Sequence, residues 1–307
     1  MNAQPRGKRI EVTPRDIEIF KLLDRYRYLP ANFIRAFVGG NESYHKARLT
    51  DLFHEGWLLK PVPQWEAMNA RYRFDSYELG RKATATLAER GLLTADPIGT
   101  GNAFRHELMV CLIMASFELA ARRNDAELLS WKDVLANAPE STRDAEAPFV
   151  IPMSFAYRGQ THGKPLRPDG RPFGLRVRRA FWFTGVEVDR HYEPLHPTDL
   201  NSRHSSILGK FLQYRHMVRE RIFQNHFGMT NVFVPIVTIN QQHMQNMIDL
   251  ALRISDGHGF KWMLFKTVPD FASLEKTIQP DIDLVGEPWL RAGNPPLNLL
   301  DELNREP

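Results

Sequence analysis

Cysteine is nearly absent. The one thiol, Cys111, excludes an internal disulfide, and its apolar helical setting, ELMVCLIMASFELAA, suits a buried inert thiol better than a nucleophile. Long apolar runs are missing too, so nothing reads as a bilayer span or a membrane partner. The opening MNAQPRGKRIEV lacks the apolar core of a secretion signal, which gives a cytoplasmic reading. The phosphate-cradling pattern GxxxxGK[ST] does not occur, so ATP-driven work would have to come from a partner. No two of the 11 histidines are spaced by two, which excludes a His-x-His metal site, and no Cys/His arrangement suits zinc. Disorder is excluded by composition, since 43% of residues are hydrophobic and 25% charged.

What the chain does have is a small excess of positive charge, +4 over 307 residues with a pI near 9.2, a mild sign of a polyanionic partner. Its distribution is uneven. Residues 1–95 hold 16 Lys and Arg against 11 Asp and Glu, while the remainder is close to neutral. Arginines also cluster at Arg176, Arg178 and Arg179, and at Arg215, Arg219 and Arg221.

Helix punctuation opens the first segment. TPRD at Thr13 supplies an N-cap, a proline at the first helical position and an acid at N3. Ile17, Phe20, Leu22 and Leu23 make this helix amphipathic, ending before residues 25–28, and ANFIRAFV predicts a second helix over 30–38. Gly39 and Gly40 break the chain, Asn41 caps a third helix over 41–55, and Gly56 stops it. WLLKPVP and ARYRFDSYEL then read as a hairpin, and GRKATATLAERG as a closing helix.

That succession resembles a winged helix-turn-helix, an α+β module, over residues 1–95. The resemblance rests on HKARLTDLFHEGWLLK followed by RYRFDSYELGRKATATLAERG, with Gly80 directly after the leucine as a small departure. It implies double-stranded DNA as partner, and for a minority of such modules protein docking. The third helix would place Asn41, Glu42, Ser43, Tyr44, His45 and Lys46 toward bases, with Arg48 nearer the backbone. Arg71 and Arg73 would sit on the wing and meet phosphate or minor groove. An ordinary solvated helix face is the competing reading for each residue taken singly.

A linker is expected at 96–103, and from 104 the pattern changes. A long apolar helix over 106–123 precedes strand-like ELLSWKDVL, an acidic Pro-containing loop and FVIPMSFAYR. A strong strand RVRRAFWFTGVEVD, a polar loop over 190–203 and a helix over 206–223 come next, followed by strand NVFVPIVTI, helix QQHMQNMIDLALRIS and strand WMLFKTV. The expectation is an α/β domain over 104–280, a mixed sheet flanked by helices, with 281–307 as a surface tail.

Within it, Asp169 follows a proline in RPDG, Glu187 and Asp189 stand two apart in VEVDR, and Lys210 and Tyr214 stand four apart in KFLQY. Strand alternation puts Glu187 and Asp189 on one face, and helical spacing puts Lys210 and Tyr214 on another. Three carboxylates beside a lysine are costly to gather unless a divalent cation neutralises them, an arrangement suited to phosphodiester hydrolysis. Asp169 and Glu187 are expected on adjacent strands with carboxylates within about 6 Å. The competing reading makes RPDG a plain turn and VEVDR an edge strand with a solvated acidic face.

The order Asp, then Glu on the next strand, resembles the restriction-endonuclease-like fold of PD-(D/E)xK type. Where that pattern has lysine this chain has Asp189, with Lys210 as the migrated cation. KFLQY also resembles the Gln-x-x-x-Tyr helix of one nuclease branch, with Lys210 in the glutamine position. Taken together the two halves resemble the replication-relaxation family of plasmids, phages and integrative elements. The resemblance implies Mg²⁺ or Mn²⁺ held by Asp169, Glu187 and the Val188 carbonyl, with Asp189 holding a second ion or orienting a water, Lys210 activating the attacking water and Tyr214 positioning the scissile strand. Glu107 could add an outer carboxylate, against the plain reading that the helix dipole favours an acid near a helix start. Three functions stay open: a DNA nuclease or nickase acting in replication or mobilisation of an element, a non-catalytic DNA-binding accessory factor, and a winged-helix transcriptional regulator. A homodimer and replication or transfer proteins are the further partners compatible with these readings.

Overall fold

The computed structural model describes residues 5–62, 75–94, 104–190, 195, 206–272, 278–280 and 282–305. It is a mixed α and β protein in two compact units. One comprises Met1–Leu119 with Ser273–Ile282, the other Ala120–Ala272 with Asp283–Pro307. Among the described residues no helix is long and apolar enough to cross a membrane.

In the first unit, helix α1 (Pro14–Tyr26) begins with the capping box read from TPRD, Thr13 and Asp16 each bonding the other's backbone. It runs two residues past the expected end because Tyr26 is buried with Phe20 and Leu23. Strand β1 (Leu29–Pro30), helix α2 (Ala31–Val38) and helix α3 (Glu42–His54) follow. Asn41 caps α3 by accepting from the backbone of Ser43 and Tyr44. Strands β2 (Leu58–Leu59) and β3 (Ser76–Leu79) pair antiparallel, and β1 joins β3 to give the order β1-β3-β2. Helix α4 (Arg81–Glu89) follows Gly80, where a Cβ would lie 2.5 Å from the Gly56 carbonyl oxygen. The expected wing tip with Arg71 and Arg73, and the expected linker, lie outside the described residues.

Helix α5 (Phe104–Arg123) leads into the second unit. ELLSWKDVL is not one strand. Strand β4 (Glu127–Leu129) stops where Ser130 and Asp133 form a capping box that starts helix α6 (Trp131–Asn137). A one-turn helix α7 (Glu140–Arg143) and the hairpin β5 (Phe155–Tyr157) with β6 (Gln160–His162) come next. The run RVRRAFWFTGVEVD is also broken. Strands β7 (Phe173–Arg176) and β8 (Ala180–Phe183) form a hairpin, and β9 (Glu187–Asp189) begins after Gly185, whose φ of +120° no side chain-bearing residue adopts readily.

Helix α8 (Ile207–Arg219), short α9 (Ile222–Phe227), strand β10 (Val234–Thr238), helix α10 (Gln241–Arg253) and strand β11 (Met263–Thr267) complete a repeated strand–helix pattern. Strands β9, β10 and β11 are parallel, with Ile236 opposite Glu187 and Thr238 opposite Asp189. Phe211, Leu212 and Met217 of α8 join Met244, Met247 and Ala251 of α10 in one core with Val234, Ile236 and Phe265. The expected surface tail is instead part of the sheet. Strands β12 (Trp289–Arg291) and β13 (Asn294–Leu297) extend it to the order β13-β12-β11-β10-β9, and Trp289 is fully buried. A tryptophan has more apolar surface to bury than the neighbouring prolines and glycines have freedom to lose, so the segment packs. Helix α11 (Leu299–Asn304) closes the described chain.

Candidate functional site

Four of the five expected second-unit residues gather at the start of β9 and the first half of α8. Asp169 does not lie on a strand. Its segment is nevertheless tied to β9 by the Gly170 amide, which donates to the Val186 carbonyl at 2.9 Å. Two glycines permit that approach: a Cβ on Gly185 would stand 2.2 Å from the Gly170 carbonyl oxygen, and one on Gly170 would meet the Val186 side chain at 2.8 Å. Asp169 Oδ2 then accepts from the Val188 amide at 2.9 Å.

Lys210, one turn into α8, stands between the two acids. Its Nζ lies 2.7 Å from Glu187 Oε2 and 3.4 and 3.5 Å from the two Asp169 oxygens. Tyr214, one turn further along the same face, is fully buried and donates its hydroxyl hydrogen to Glu187 Oε1. The geometry at Oε2 is less complete. The ammonium is at ion-pair distance, and among the described residues no group makes a hydrogen bond to this buried oxygen.

Burial pushes the Glu187 carboxyl up, and the neighbouring Asp169 charge pushes it further. Lys210 and Tyr214 pull down against both, and the balance leaves it at about 8. Burial likewise drives the Tyr214 hydroxyl well above its usual value, with the Glu187 charge adding to it. A small pocket opens over this group, walled by Ile207, Phe211 and Ile236.

Asp189 does not join them. It shares a strand face with Glu187, but its Oδ2 is held by His243 Nε2 near the start of α10, and both side chains are buried. Sequence reasoning missed His243. Nothing in QQHMQN marks it, and only the parallel pairing of β9 with β10 brings the end of β9 to the start of α10. The three-carboxylate cation site is therefore not assembled, and among the described residues no group of three His, Cys, Asp or Glu side chains is arranged to hold a metal ion. Asp169 and Glu187 alone remain. Two carboxylates beside one ammonium, with a buried Glu187 oxygen that has no hydrogen-bond partner among the described residues, fit a hard divalent ion that takes one or two carboxylates and completes its shell with water and phosphate. Glu107 is taken up in an ion pair with Arg27 in the first unit at 3.2 Å.

In the first unit the expected base readers separate into two sets. Asn41, Glu42, Ser43, Tyr44 and Lys46 are exposed along the first turns of α3, Tyr44 at 61%. His45 is buried at 2% exposure and faces the unit's interior, so it cannot enter a groove without unfolding the helix. Arg48 is bound to Asp16 at 2.5 and 2.9 Å and to the Glu11 carbonyl at 2.7 Å, which makes it a structural cation rather than a phosphate contact. Asp16 is itself buried. Burial raises its carboxyl, but bonds from Arg48 and Thr13 outweigh this and leave it lowered.

No family model, curated protein or solved structure matches the chain, so its function has to be read from this side-chain geometry.

Proposed function

We propose that the chain is a DNA-binding protein whose first unit is a winged helix-turn-helix and whose second is a restriction-endonuclease-like domain that nicks or cleaves DNA. The resemblance to the replication-relaxation family adds replication or mobilisation of a mobile element as its setting. The observation that carries the reading is the convergence of Asp169 and Glu187, from a loop and a strand, on Lys210 of a helix beside a parallel sheet, with Glu187 and Lys210 lining one small pocket. Holding two acids at one lysine is costly, because the second carboxylate raises the cost of burial.

Asp169 and Glu187 would hold Mg²⁺ or Mn²⁺, which would supply Lewis-acid stabilisation of charge on a phosphate. The chain's own groups do the rest. The Val188 amide fixes Asp169 Oδ2, and the Tyr214 hydroxyl fixes Glu187 Oε1. Glu187, at about 8, loses its proton in the neutral range, which would free Oε2 to serve as a ligand. Lys210 carries the positive charge that a phosphate oxygen would meet, and Ile207, Phe211 and Ile236 keep bulk water out.

The test is calorimetric Mn²⁺ titration beside a plasmid-nicking assay of the wild type, Asp169→Ala and Glu187→Gln. Metal-dependent nicking lost in both variants, with duplex binding retained, supports the reading. A second reading, a non-catalytic DNA-binding accessory factor, is favoured by one feature: Lys210 already partly neutralises both acids. Duplex binding without nicking or metal uptake would select it.

A further inference from the structure

The loop of the β5–β6 hairpin carries a residue its conformation disfavours. Tyr157 pairs with Gln160, so Arg158 and Gly159 alone make the turn, and both have positive φ, 49° and 76°. A two-residue turn of that kind prefers Asn or Asp before the glycine, because a long L side chain is strained at positive φ. Strain kept at an exposed position points to a use for the side chain rather than for the fold. Arg158 is exposed, with its guanidinium 5.3 Å from the Tyr157 ring centroid.

The surroundings share its sign. Residues 155–168 contain Arg158, Lys164 and Arg167 and no acid. Arg158 and Arg167 are exposed, and neither has a carboxylate partner among the described residues. The segment is also fixed to the candidate site. Gln213, directly before Tyr214 on α8, donates to the Lys164 carbonyl at 2.8 Å, and the Phe155 ring lies 6.4 Å from that of His216. Two residues beyond Arg167 the chain reaches Asp169.

We infer that the β5–β6 hairpin and the segment leading to Asp169 form a docking track for the sugar-phosphate backbone of a DNA strand, with Arg158 and Arg167 as its phosphate contacts and Tyr157 as a stacking surface. Arginine binds phosphate in a fork, and an aromatic ring beside it accepts a base face without regard to sequence. The inference deepens the nuclease reading and rests on it: the track would deliver the strand to Asp169, Glu187 and Lys210.

The experiment uses the full chain with two fluorescent probes, a short single-stranded DNA and a duplex of equal length, by anisotropy across a salt series. A single strand offers no major groove, so helix α3 contributes little to it. The variant Arg158→Asn with Arg167→Ala should bind the single strand about tenfold more weakly, with the salt slope reduced by about 1.4, or 0.7 for each lost phosphate contact. Its melting temperature should hold or rise, because Asn suits the turn. Lys46→Ala should instead weaken the duplex and spare the single strand. Unchanged single-strand affinity in the double variant, or a wild type that binds duplex but no single strand, overturns the track and leaves the nuclease reading standing. A wild type that binds neither probe overturns both.

Discussion

Tyr214 and Glu187, 27 positions apart, form a buried hydroxyl–carboxylate pair in which the phenol donates to Oε1 and leaves Oε2 to the Lys210 ammonium at 2.7 Å. The phenol is fully buried and its hydroxyl hydrogen needs an acceptor, so it orients Glu187 as Glu187 satisfies it. Replacing Tyr214 by Phe should cost about 1–2 kcal/mol in stability and raise the Glu187 carboxyl further. Urea unfolding together with carboxyl NMR titration of Glu187 measures both.

Glu187 sets the direction of a pH effect. Its folded-state value, about 8, lies above its ordinary 4.5, so the native state binds the proton more tightly than the unfolded chain does. Its contribution to stability is therefore fully present below about pH 4.5, declines as pH rises from about 4.5 to about 8, and is constant above. The wild type should lose on the order of 4 kcal/mol over that window relative to Glu187→Gln, which has no proton to release. Chemical denaturation of both proteins from pH 5 to about 8.5 reads the difference, and parallel curves would show that Glu187 is ionised throughout.

Asp189 and His243 make a separate prediction. Because His243 holds the Asp189 carboxylate, Asp189→Asn should leave Mn²⁺ affinity unchanged, whereas Asp169→Ala should abolish it. His243→Ala should destabilise by about 3–5 kcal/mol, since it strands a buried carboxylate. Calorimetry and thermal melts separate the two effects.

Arg48 and Lys46 sit two residues apart on α3 and should fail differently. Arg48→Ala leaves Asp16 buried without its cation and should cost about 3 kcal/mol. Lys46→Ala and Tyr44→Ala, at exposed positions, should lower duplex affinity with melting temperature unchanged. Anisotropy and differential scanning calorimetry on the three variants check this.

Gly185→Ala tests how Asp169 reaches the site. A Cβ at a φ of +120° and 2.2 Å from the Gly170 oxygen forces the two segments apart, which should cost about 3 kcal/mol and remove Mn²⁺ binding. Gly170→Ala meets a Val186 methyl at 2.8 Å and no backbone atom closer than 3.1 Å, so it should be milder.

Local rules read the first unit well because its helices begin and end on local chemistry. Thr13 with Asp16, Asn41 and Gly56 act within a turn of themselves, and the helices form where those residues stand. The same local rules also contained Ser130 with Asp133, whose capping box turns an apparent strand into α6. The candidate site was legible in part: Asp169, Glu187, Lys210 and Tyr214 could be named from residue type and spacing, since alternation on a strand and four-residue spacing on a helix are intrinsic to the backbone.

Which carboxylates meet was decided only in three dimensions. Asp189 has the strand face its spacing predicts, but β10 beside β9 brings α10 and His243 to it, and a buried carboxylate takes the nearest donor. His45 and Arg48 follow the same logic: helical spacing places them on α3, and the packing of α3 turns one inward and gives the other to Asp16. Trp289 carries it furthest, because a segment that reads as a tail from its prolines and glycines joins the sheet once there is an apolar surface to bury it. Sequence settles where backbone elements start and which way side chains alternate, for those follow from neighbours along the chain. Partner choice depends on groups distant in sequence, whose burial leaves each charge or hydroxyl only the companions that the fold delivers.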